Sequence, residues 1–128
     1  GESHLYAGSN QLKKVAWYSD NSEQKGVHRV KSKRPNAYGL YDMSGNVWEW
    51  TLDEWHHNYK NAPNQAEKPW GKAVKCFNKT CDHGLKWRVL RGGSWDYDAE
   101  FLKLSVRSSD KPSAQDEQYG LRIVRALP

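Results

Sequence analysis

No run of this chain approaches the roughly 20 consecutive apolar residues that would span a bilayer, so no membrane-crossing helix is expected. The opening Gly1-Glu2-Ser3-His4 lacks the basic, apolar and small-residue order of a secretory leader. An initiator methionine is also missing, which points to a processed product or a fragment. Localisation stays open, with a bacterial cell-surface or secreted setting favoured. Cysteine is scarce: Cys76 and Cys81 are the two in 128 residues, and only His83 lies near enough in sequence to join them on a metal that would want four ligands. Their spacing leaves a local Cys76–Cys81 disulfide and two reduced thiols both open. Helical periodicity is hard to find, and no internal repeat or low-complexity tract occurs.

What the chain does have is large aromatic surface. Seven Trp and seven Tyr offset a mean hydropathy of -1.01, so a core built on aromatics is expected and disorder is not. The length suits one domain over residues 1–128 and is too short to divide. The net charge of +5 raises a nucleic-acid reading, but the only dense cluster is Lys31, Lys33 and Arg34, with acidic residues interspersed elsewhere. No nucleic-acid partner is expected.

Short alternating runs bounded by Gly, Pro, Asn and Asp predict irregular β-structure with long loops. Gly8-Ser9-Asn10 reads as a turn, and Val27–Val30 as a short strand. Ser44-Gly45-Asn46 turns into Val47–Leu52, where Trp48, Trp50 and Leu52 share one face and Val47, Glu49 and Thr51 the other. Asp53–Leu85 reads as a long polar insertion. Arg88–Arg91 is a strand that runs into Gly92-Gly93, where close backbone approach is expected. Leu102, Leu104 and Val106 alternate with polar residues as a further strand, Asp110–Gln118 is a loop, and Leu121–Val124 closes the chain. Trp48, Trp50, Trp87 and Trp95 are expected in the core, their indole N–H groups bonded to backbone carbonyls.

Two blocks, Gly39-Leu-Tyr-Asp-Met-Ser-Gly-Asn-Val-Trp-Glu-Trp-Thr51 and Arg88-Val-Leu-Arg-Gly-Gly-Ser-Trp95, followed by Arg107, Pro112 and Gly120-Leu-Arg122, resemble the C-terminal part of the formylglycine-generating-enzyme-like (sulfatase-modifying-factor) family. The resemblance spans about Tyr6 to Ala126 and implies an irregular, loop-rich α+β fold of the C-type-lectin type, without the family's usual N-terminal part. It also implies a calcium site at Gly45, Asn46, Val47 and Glu49, since calcium prefers hard oxygen donors. In the catalytic relatives two cysteines after the Gly-Gly-Ser-Trp block bind copper and oxidise a substrate cysteine. The matching positions here are Ala99 and Leu104, neither of which can hold a metal, so no copper is expected.

The scaffold motifs without the cysteine pair point to a noncatalytic ligand-binding module. Some proteins of this fold are variable proteins of diversity-generating retroelements, diversified between Gly-Gly-Ser-Trp and a Gly-Phe-Arg-like end. That stretch here runs from Asp96 to Tyr119. Its candidate contact residues are Asp96, Tyr97, Asp98, Glu100, Phe101, Lys103, Ser105, Arg107 and Tyr119, facing a protein or glycan ligand, and Tyr97, Phe101 and Tyr119 are the aromatics expected to be exposed. The alternative is a formylglycine-generating or related oxidase acting on a sulfatase cysteine. A general acid–base set of His56, His57, Asp53 and Glu54 can be assembled from the sequence, but no nucleophile or motif accompanies it.

Overall fold

β-structure begins where the Trp-Glu-Trp alternation predicts it. In the computed structural model, which describes residues 3–22, 26–64, 68–71 and 86–124, strand β1 is Trp48–Glu54, β2 Arg88–Arg91, β3 Ser108–Asp110 and β4 Tyr119–Leu121. They form one mixed sheet in the order β3-β2-β1-β4. β1 pairs antiparallel with β2 and parallel with β4, while β2 pairs antiparallel with β3. A single helical turn, α1 (Leu12–Val15), and a 3-10 turn at Ala99–Leu102 are the helices among the described residues. None of these is long and apolar enough to cross a membrane. Cys76 and Cys81 lie outside the described residues.

The core brings sequence-distant segments together. Tyr6, Leu12, Val15, Ala16, Tyr18 and Leu102 form one buried cluster. Buried Ser44 ties two of these segments, accepting from the Ala7 N–H at 3.1 Å and donating to the Leu102 carbonyl at 3.2 Å. Two glycines permit close approaches around this cluster. At Gly45 (φ +77°) a Cβ would stand 2.2 Å from the Trp17 carbonyl oxygen, and at Gly93 (φ +79°) a Cβ would stand 2.7 Å from Leu102 Cγ. The Gly92-Gly93 pair thus makes the close contact read from the sequence.

Several expectations are overturned. Leu52 is 74% exposed rather than core-facing, because the β1–β2 register shifts between Trp50 and Glu54 and interrupts the two-residue alternation. Trp48 and Trp95 are buried, but Trp87 is exposed and Trp50 half-buried. The buried Trp95 Nε1 has no hydrogen-bond partner among the described residues, contrary to expectation. Val27–Val30 is not a strand: the Asn46 side chain engages the His28 backbone N–H and carbonyl in place of a neighbouring strand. Leu102, Leu104 and Val106 do not alternate on a strand either. The chain there bonds locally, Phe101 N–H to the Asp98 carbonyl and Val106 N–H to the Lys103 carbonyl, leaving Leu102 buried and Leu104 exposed. The ladder falls instead on the all-polar Ser108–Asp110. The last strand ends at Leu121, and Ile123 and Val124 are exposed.

A candidate ligand groove

A groove of about 710 Å³ opens where the 3-10 turn and the stretch leading into β3 pass the start of β1. Trp48, Tyr97, Glu100, Phe101, Lys103, Ser105, Val106, Arg107 and Ser108 line it. β1 places Trp48 there, with the indole almost wholly covered. Tyr97 meets Trp48 edge to face (centroids 5.4 Å apart, 88°), and Phe101 meets Tyr97 in the same way (5.3 Å, 75°). Near three residues per turn, the 3-10 turn brings Glu100 and Lys103 to one side.

The irregular stretch from Lys103 to Arg107 is held by two arginines. Arg91, on β2, donates to the carbonyls of Val106 and Leu104. Arg107 donates from Nη2 to the His56 and His57 carbonyls at 3.0 and 3.4 Å. Its guanidinium carbon lies 4.7 Å from the Trp55 ring centre and 4.4 Å from that of Tyr59. A planar cation against two rings, with two donors spent on backbone, is fixed in place. The insertion is anchored beside it: Glu54 N–H donates to the Trp70 carbonyl, Trp70 N–H to Asp53, and Trp70 stacks on His56 at 3.8 Å.

Six of the nine contact residues expected from the sequence therefore meet at one groove: Tyr97, Glu100, Phe101, Lys103, Ser105 and Arg107. Three do not line it. Asp96 is exposed, and its N–H leans on Ser94 Oγ. Asp98 accepts from the Ser19 hydroxyl at 2.9 Å. Tyr119, expected to be exposed, is half-buried against Trp50 and donates to Asp110 at 2.9 Å. Burial, then the Asp110 hydrogen bond, push its phenol up to about 12. Trp48, Val106 and Ser108 were missed as lining residues. Trp48 carried a signal, as the aromatic that opens β1, but its burial had been read only as core.

At the turn of Gly45, Asn46, Val47 and Glu49, where the resemblance implies calcium, the side-chain oxygens make protein hydrogen bonds. Asn46 Oδ1 accepts from the His28 N–H at 2.9 Å, and the Glu49 carboxylate holds Arg122 in a paired hydrogen bond of 2.6 to 3.2 Å. Both side-chain oxygen donors of the set already have partners, so a calcium ion there would compete with Arg122 for Glu49. The Glu49 hydrogen bonds in turn raise the Arg122 pKa and keep its charge. The acid–base set does not assemble either. His56 stacks on Trp70, Asp53 accepts from the Trp70 N–H, and Glu54 pairs with Lys86 at 3.2 Å. The Lys31–Arg34 cluster is partly folded back: Lys33 donates to the Lys13 carbonyl and lies 3.7 Å from the Trp17 ring centre, where burial lowers its pKa.

Residues 1–127 match the family model described as the sulfatase-modifying factor enzyme 1-like domain. The chain is 36% identical over 99 residues to the serine/threonine-protein kinase pkn1 of Chlamydia pneumoniae, covering 77% of itself and 14% of that protein. It is 34% identical over 96 residues to the formylglycine-generating enzyme of Streptomyces coelicolor, covering 73% of itself and 27% of the enzyme. Among solved structures, Treponema denticola variable protein 1 superposes with a TM-score of 0.76 at 32% identity, over 94% of this chain and 40% of that one. The chain thus spans well under half the length of each of these relatives.

Proposed function

From the premise that the chain belongs to the sulfatase-modifying factor enzyme 1-like family, with its C-type-lectin-type fold, we propose that it is a noncatalytic ligand-binding module whose binding surface is the groove around Trp48, Tyr97 and Phe101. The observation that carries this reading is the coincidence of two facts. The positions that correspond to the copper-binding cysteines hold Ala99 and Leu104, while the residues around them line an open groove. Ala99 packs on the buried cluster and Leu104 is exposed, so neither offers a redox or metal-binding atom. The groove has the constitution of a recognition site, with a covered Trp48, the exposed rings of Tyr97 and Phe101, and charged and hydroxyl groups around them.

A finer reading follows from the likeness to a structure named as a variable protein. Residues 96–118 would be the diversified stretch, carried on a constant frame, because side chains on an irregular loop change without disturbing ladder pairing. Sequencing this locus across a natural population tests it. Scatter at the groove positions, with residues 39–51 and 88–95 constant, supports diversification; uniform constancy across 96–118 contradicts it. For the noncatalytic part, the purified chain is titrated with copper(I) and incubated with a cysteine-containing sulfatase peptide. Neither copper binding nor cysteine oxidation is expected, and either would return the oxidase reading and direct attention to Cys76 and Cys81.

A further inference from the structure

The unspent polar groups of the groove specify a ligand chemistry. Arg107 uses its Nη2 donors on the His56 and His57 carbonyls. Its Nε and Nη1 donors have no partner among the described residues. The carboxylates lining the smaller pocket on its other side are occupied, Asp53 by the Trp70 N–H and Glu54 by Lys86. The Lys103 ammonium and the hydroxyls of Ser105 and Ser108, in the same groove, likewise have no partner among the described residues. A guanidinium immobilised against Trp55 and Tyr59, with its Nε and Nη1 donors unspent on separate edges, can give a carboxylate oxygen a charge-assisted hydrogen bond without being reoriented.

Resting on the binding reading above, we infer that the groove anchors its ligand through a carboxylate. Arg107 receives it, Lys103 adds charge, and Ser105 and Ser108 supply hydrogen bonds. The ligand is an acidic segment of a partner protein. A polypeptide suits the groove better than a glycan, because the Trp48 face is covered and Tyr97 and Phe101 meet edge to face rather than forming a flat shelf for a sugar ring. The notch beside Phe101, which is 40% exposed, takes an apolar side chain next to the acidic one. The net charge of +5 draws an acidic partner in. Glu100, on the 3-10 turn and without a partner among the described residues, opposes a carboxylate and limits its affinity.

The test is to pan a random displayed-peptide library on the 128-residue chain, with Phe101→Ser as the groove-disabled control. Captured peptides should be rich in Asp and Glu beside apolar residues. Changing the key peptide Glu to Gln should weaken binding to the unmodified chain about tenfold, and to Arg107→Gln much less. Glu100→Gln should strengthen binding. The peptide substitution reads out the carboxylate without touching the fold, so any loosening of the Trp55–Tyr59 segment in Arg107→Gln does not confuse the result. Groove-dependent peptides that bind equally well as Gln versions overturn the carboxylate inference and leave the binding module standing. A polygalacturonate oligomer that binds the groove where acidic peptides do not overturns the polypeptide ligand. Capture unchanged by Phe101→Ser overturns the groove itself.

Discussion

Tyr119 shows how a single residue's surroundings become a measurable pH dependence. Folding raises its phenol from 10.0 to about 12, through burial first and the Asp110 hydrogen bond next. The native state therefore favours the protonated form. This contribution is whole below pH 10 and is lost as the pH climbs through about 12. Urea melts at stepped pH should show stability falling across that interval, and Tyr119→Phe should lessen the fall. At Gly45 the expectation is steric: Gly45→Ala sets a Cβ against the Trp17 carbonyl in a left-handed conformation, at a cost of about 2 kcal/mol or more by chemical denaturation. Residue-level reading succeeded where one residue type meets one need, as at Gly93 beneath Leu102. It failed for Tyr119, because no spacing in the sequence announces that Asp110 will stand 2.9 Å from its hydroxyl. Nor could it foresee that Arg122 would take up the Glu49 carboxylate reserved for calcium.

The elements themselves were legible in proportion to their apolar alternation. β1 and β2 carry apolar patterns and sit within two residues of where they were read. β3 is Ser-Ser-Asp, with no apolar residue to mark it, and its existence depends on pairing with β2. The Leu102–Val106 alternation was real in the sequence but was resolved as the end of a 3-10 turn and a hydrogen-bonded turn after it, since Leu102 is needed under Gly93 and Leu104 is exposed. Two cross-element ties should behave differently when cut. Arg122→Ala leaves the part-buried Glu49 carboxylate without its partner beside the β1–β4 pair, and should cost about 2 kcal/mol in a denaturant melt. Arg91→Lys removes a fork that a single ammonium cannot reproduce. Hydrogen exchange at the amides of Leu104 and Val106 should accelerate, since their carbonyls lose the Arg91 grip, while the β1–β2 amides keep their protection.

At the scale of the molecule, the aromatic blocks gave the fold and six of the groove residues, because the family resemblance and the alternation of β1 point the same way. The calcium expectation was drawn from resemblance alone. With Glu49 held by Arg122, a thermal melt is expected to be the same with EDTA and with added calcium, and a calcium-dependent rise in Tm would restore that site. The groove is the feature that ties scaffold to function: a covered Trp48 on the sheet, aromatic edges above it, and a polar stretch held by two arginines rather than by strand pairing. The measurement that bears most directly on this account is a nitrogen–proton correlation spectrum of the isotope-labelled chain titrated with a panned peptide. The account predicts saturable shifts at the amides of Tyr97 to Ser108 and at the Arg107 Nε signal, with the Gly45-Asn46 turn unmoved. Shifts centred on that turn, with the groove unmoved, would contradict it.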